Sequence, residues 1–62
     1  MAVEATKVEV ISGPNGDAEI YELYESNQPL QYNINFKGET SEVFMTLGEA
    51  YLEAGIRAGV KT

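Results

Sequence analysis

The chain has 62 residues, ten acidic and four basic, for a formal net charge of −6, and it contains neither cysteine nor histidine. That length allows one hydrophobic core, hence a single small domain over residues 1–62, and a thin stability margin, because so short a chain buries only about 60% of its unfolded surface. Disulfides are excluded, the usual ligands of a transition metal are missing, and the sign of the charge opposes nonspecific attraction to nucleic acid or anionic lipid.

The N-terminal MAVEATKVEV lacks the basic n-region and apolar core of a secretory signal, and no apolar run reaches the ~20 residues that span a bilayer. A cytoplasmic protein without membrane contact is therefore expected, in the cytoplasm of an infected host if the protein is viral. The first strand is predicted over Val3–Ser12, with Val8 and Val10 on one face and Lys7 and Glu9 on the other. Ile11 breaks that alternation and marks a bulge or a second buried face. Gly13-Pro14-Asn15-Gly16-Asp17 follows as a hairpin turn, because Pro14 presets φ while Asn15 and Gly16 both tolerate left-handed backbone.

Residues 18–25, AEIYELYE, fit a helix through Ile20, Leu23 and Tyr24, but the short run, its two tyrosines and the preceding turn favour a strand. A strand puts Tyr21 and Leu23 on one face and Ile20 and Tyr24 on the other. Pro29 ends it by forcing Gln28 into extended backbone. Residues 30–37, LQYNINFK, alternate without a break: Leu30, Tyr32, Ile34 and Phe36 against Gln31, Asn33, Asn35 and Lys37. The apolar set belongs to a core. Lys37-Gly38-Glu39-Thr40 reads as a second hairpin turn into SEVFM, which opposes Ile34 with Ser41 or Val43. Either register puts Val43 and Met45 on the core face and Phe44 beside the amides. A helix starting at Ser41 is the competing reading.

Thr46-Leu47-Gly48-Glu49 has the form of a capping box, with Thr46 Oγ1 accepting from Glu49 N–H and the Glu49 carboxylate accepting from Thr46 N–H. The helix then runs from Leu47 to about Ala58, with Gly59 as a left-handed C-cap and Val60 folding back. The fold class is α+β: an antiparallel β-meander of three to four strands with one C-terminal helix packed on one face.

On that helix Glu49, Glu53 and Arg57 form a narrow polar stripe. Its apolar and small residues cover about half the circumference, beyond the ~100° stripe that one sheet needs. Leu52, Gly55, Ile56 and Gly59 are thus candidates for close packing or for the interface of a homodimer, since a chain this small gains most from shared burial.

No catalytic, cofactor-binding or metal-binding residue is assigned. Serines without histidine or cysteine have no evident activating partner, and paired carboxylates do chemistry only inside a cleft that shifts their pKa values. The candidate protein-binding residues are the tyrosine–acid strand (Glu19, Tyr21, Glu22, Tyr24 and Glu25, taken as an exposed edge) and an amide face of Gln31, Asn33, Asn35 and Phe44. Carboxylates there meet basic groups and tyrosines supply anchoring area. An amide row can also read adenine from a β-ribbon, but the surrounding charge has the wrong sign. The expected function is a non-catalytic, homodimeric binding or regulatory protein whose protein partner the sequence does not identify. The alternative is an acidic inhibitor, virus-encoded, that mimics nucleic acid and blocks a host nucleic-acid-binding enzyme.

Overall fold

A computed structural model describes residues 3–60. Strands β1 (Glu4–Gly13), β2 (Gly16–Tyr24), β3 (Gln31–Phe36) and β4 (Glu39–Thr40) form one antiparallel sheet in chain order, and helix α1 (Leu47–Ala58) lies across one face. The predicted α+β meander is the observed fold. At the first hairpin Gly13 and Gly16 oppose each other across Pro14 and Asn15, and Gly16 alone takes the left-handed backbone, at φ 126°.

Two one-residue slips decide which side chains reach the core. In β1, Lys7 pairs with Tyr21 but Glu9 pairs with Ile20, so Val8 is an extra, bulged residue. Because side chains alternate with period two, the slip turns Glu9 and Ile11 toward the helix and Lys7 and Val10 to the opposite face. The sequence placed the break at Ile11 and grouped Lys7 with Glu9; the bulge at Val8 separates them.

The second slip follows β4. Phe36 pairs with Glu39 across Lys37 and Gly38, whose φ values of 54° and 82° are those of a tight primed turn. Ser41 N–H then donates to the Ile34 carbonyl at 2.7 Å. The return bond does not use the Ser41 carbonyl: Ile34 N–H donates to Ser41 Oγ at 2.9 Å, and the Ser41 hydroxyl donates to the Glu42 carbonyl. Pairing resumes between Tyr32 and Phe44, through N–H···O bonds of 2.9 and 2.7 Å. The register of Asn35 with Thr40 would have set Val43 opposite Tyr32. The extra residue brings Phe44 there instead, so Phe44 packs on the core while Val43 and Met45 are exposed. Phe44 therefore does not belong to the amide face, and residues 41–46 are neither a continuous strand nor the start of the helix.

Thr46 is the N-cap, in extended backbone, and its Oγ1 accepts from Glu49 N–H at 3.2 Å. The Glu49 carboxylate takes its bond from the Thr46 hydroxyl, at 3.1 Å, rather than from Thr46 N–H. At the other end Gly59 adopts φ 90° and donates to the Ile56 and Gly55 carbonyls, while Val60 N–H donates to Gly55 at 3.0 Å, a Schellman ending. The carbonyls beyond these are met from the first hairpin. Asn15 N–H donates to Ala58 O at 2.9 Å and Asn15 Nδ2 to Arg57 O at 3.4 Å. This docking brings the helix end over Gly13, where a Cβ would run into the Ala58 carbonyl oxygen and stand 2.8 Å from Val60 Cγ1.

The core lies between sheet and helix. Ala18, Ile20 and Ile34 face Ala50, Ala54 and Ala58, all fully buried, with Ile11, Tyr32, Phe36 and Phe44 packed around them. Ile20 and Ile34 are direct cross-strand partners and the largest side chains fully withdrawn from water among the described residues. Burial of each stabilises the fold by roughly 1.5–3 kcal/mol. Alanine at every fourth helical position lets the helix backbone settle close to the sheet. Leu30, expected in this core, precedes β3 and is exposed.

Candidate protein-contact surface

The helix is apolar on the side that faces away from the sheet. At ~100° per residue, Leu52 and Ile56 lie about 160–200° from Ala54. Leu52 is 56% exposed and Ile56 45%, whereas the three inward alanines are 0% exposed. Gly48, one turn before Leu52, carries no neighbour within 4 Å of the position a Cβ would occupy. On one flank of this stripe Glu53 accepts from Arg57 Nε at 2.9 Å, and Arg57 also reaches Glu42 at 4.0 Å. The four residues assigned from sequence to packing or dimerisation thus divide. Leu52 and Ile56 form the outward stripe, Gly55 is buried, and Gly59 is the C-cap.

The second candidate surface is the sheet face turned away from the helix. Since Ile20 and Ile34 point to the core, their neighbours Tyr21 and Asn33 point outward, as do Glu19 with Asn35 and Leu23 with Gln31. Among the described residues no strand or helix covers this face. Lys7 lies opposite Tyr21 and pairs with Glu19 at 3.4 Å, and Tyr21 OH donates to the same carboxylate at 3.4 Å. The predicted amide row of Gln31, Asn33 and Asn35 is therefore real, but its aromatic companion is Tyr21 rather than Phe44. Gln31 Nε2 contacts Met45 Sδ at 3.6 Å, and Asn35 Oδ1 is withdrawn from solvent without a donor.

The tyrosine–acid set is not an edge. β2 is paired on both sides, with β1 and with β3, because the meander keeps sequence order. Alternation sends Glu19 and Tyr21 to the open face and Glu22 and Tyr24 to the helix side, while Glu25 lies in the turn beyond. These carboxylates do not make one charged row.

Besides the Asn15 bonds to the helix end, sequence reading missed a side-chain contact between the layers. The bulge aims Glu9 at the helix, where Tyr51 OH donates to its carboxylate. That bond, together with one from Val10 N–H, holds the Glu9 carboxyl below its ordinary value, and the same bond pushes the Tyr51 phenol above its own. The break in alternation was the available signal, but it did not reveal which side Glu9 would take.

Among the described residues, no three or more histidine, cysteine, aspartate or glutamate side chains gather as a metal site, no cavity opens, and no helix is long and apolar enough to cross a membrane. No protein-family model, no curated protein and no solved structure matches this chain.

Proposed function

We propose that this chain is a small binding protein without chemistry of its own, which works as a homodimer joined through the outward face of its helix and meets a protein partner on the open face of its sheet. One observation carries this reading: the helix turns alanines toward its own core and the larger Leu52 and Ile56 away from it. A helix that served only its own domain would do the reverse, because a buried leucine or isoleucine contributes roughly 1.5–3 kcal/mol that an exposed one does not. The open face supports the second half, since Tyr21 among Gln31, Asn33 and Leu23 offers an aromatic anchor with neutral hydrogen-bonding groups and little bare charge.

Sedimentation equilibrium of the intact chain tests the self-association. The wild type is expected at twice the monomer mass at micromolar concentration. The Leu52→Ser, Ile56→Ser double variant is expected at the monomer mass with an unchanged circular dichroism spectrum. A wild type that stays monomeric through hundreds of micromolar refutes the homodimer. Tyr21→Ala should then leave the dimer intact and reduce capture of a partner from the native host.

A further inference from the structure

Asn15 is the only asparagine of the chain that glycine follows, and it lies exposed at the tip of the first hairpin. We infer that Asn15–Gly16 is a site of spontaneous covalent modification, at which Asn15 becomes isoaspartate or aspartate at a rate set by its seat on the helix end. The chemistry needs only base and water. Base takes the proton of the Gly16 amide, and the nitrogen's electron pair forms a bond to Asn15 Cγ. The Cγ–Nδ2 bond breaks, its electrons leave with Nδ2, and protonation releases ammonia from a cyclic succinimide. Water then opens the ring. Attack at the former backbone carbonyl routes the main chain through Cγ as isoaspartate, and attack at Cγ restores the ordinary main chain as aspartate. A side chain on the following residue crowds the attacking nitrogen, and glycine has none. Asn27 precedes Gln28, while Asn33 and Asn35 lie within β3 before Ile34 and Phe36.

The fold restrains this reaction. Ring closure requires the Asn15 carboxamide to swing onto the Gly16 nitrogen, but the helix end holds it elsewhere. Nδ2 donates to Arg57 O at 3.4 Å, and the backbone N–H donates to Ala58 O at 2.9 Å. The carboxamide also rests on the C-cap: a Cβ at Gly59 would stand 2.9 Å from Nδ2 and 3.1 Å from Cγ. The reactive carbon is released only when the hairpin tip and the last helical turn part. Either product weakens the contact that delayed it. Aspartate has lost the Nδ2 donor and sets a carboxylate against the Arg57 carbonyl, at the negative end of the helix. Isoaspartate adds a methylene to the main chain of the turn, which takes the Asn15 N–H out of line with Ala58. Modification therefore loosens the docking of hairpin on helix.

The test is peptide mass spectrometry of the whole chain aged in mildly alkaline buffer, folded and in urea, with isoaspartate detected by enzymatic methylation. Asn15 should convert ahead of Asn27, Asn33 and Asn35, faster as pH rises, and more slowly in the folded chain than in urea. Gly59→Ala drives a Cβ into the Asn15 carboxamide and unseats it. Conversion in the folded variant should quicken by about two- to tenfold, the factor that one net hydrogen bond carries. Thr46→Ala weakens the far end of the same helix without touching Asn15 and should leave the rate nearly unchanged. Each variant is compared in buffer where its circular dichroism shows it folded. An Asn15 that stays intact in folded wild type and in folded Gly59→Ala, while the chain in urea converts, overturns the site. Equal rates folded and in urea, or a Gly59→Ala chain no faster than Thr46→Ala, overturn the restraint by the helix end.

Discussion

Replacing Gly13 with alanine tests how tightly the first hairpin is docked on the helix end. The added Cβ would collide with the Ala58 carbonyl oxygen, a backbone atom, and would approach Val60 Cγ1 to 2.8 Å. Val60 can rotate away, but the carbonyl can move only if the last helical turn lifts from the hairpin. Overpacking of this kind costs about 1–3 kcal/mol, and lifting the turn also strains the Asn15 N–H bond to Ala58, worth about 0.5–1.5 kcal/mol net. Against this, alanine reduces the freedom of the unfolded chain and stabilises by about 0.4–1 kcal/mol. The balance is a loss of roughly 2 kcal/mol, which matters in a domain whose total stability should be about 3–9 kcal/mol at 0.05–0.15 kcal/mol per residue. Thermal unfolding followed by circular dichroism should show the midpoint falling by roughly 8–16 °C, at about 4–8 °C per kcal/mol for a domain of this size. Protein concentration must be held fixed, because the proposed self-association would make the midpoint depend on it. Ser12→Ala, at an exposed neighbouring position, is the control and should stay within about 0.5 kcal/mol of wild type. A Gly13→Ala protein as stable as wild type would refute the close docking of helix end on hairpin.

Three further perturbations have defined outcomes. Glu9, whose folded pKa lies below its ordinary 4.5, lends stability that is fully present above that value and is lost as pH falls through the folded pKa. Tyr51, raised above its ordinary 10.0, lends stability below that value that is lost as pH rises through the folded pKa. Tyr51→Phe should therefore move the Glu9 titration seen by carboxyl NMR back up toward 4.5 and flatten both limbs of the stability profile; an unmoved Glu9 would show that the phenol is not its partner. Ser41→Ala leaves Ile34 N–H without its acceptor, at a cost of about 1–3 kcal/mol, and the Ile34 amide should exchange with solvent faster. Unchanged exchange at Ile34 would count against the serine bridge. Thr46→Ala removes the helix N-cap and should lower stability by about 1 kcal/mol in urea unfolding; no change would mean that the first turn is held by packing instead.

The fold was legible in the sequence where the signal was local. Gly13 to Gly16, the alternation of residues 31–36, and Thr46 with Gly59 each define a turn, a strand or a cap through their own chemistry, and each stands where expected. The errors come from two residues. Val8 and the segment after Ser41 each insert one extra position, and a single insertion inverts every side chain beyond it. That moved Phe44 into the core, expelled Val43 and Met45, and turned Glu9 to the helix. Nothing in the residue types demanded either slip: the first is set by which pairing buries Ile11, the second by a hydroxyl taking the place of a carbonyl. The candidate surfaces were half legible for the same reason. The amide row follows from periodicity alone, whereas the outward direction of Leu52 and Ile56 depends on which face of the helix meets the sheet, and the partner of the amides and the interior position of β2 depend on pairing across the sheet.

The Asn15 contact with the helix end joins residues 42 positions apart, and this has a bearing on the order in which the protein can be made. During synthesis the meander emerges first, and Ile20 and Ile34 must wait in water until the alanine face of the last element is translated. The hairpin tip that emerges early carries the donors that complete the helix emerging late. Neither end is finished without the other, so the last turn of the helix closes the structure in time as well as in space. A chain interrupted before Leu47 would hold its sheet uncovered, a state in which exposed strands invite pairing with other chains.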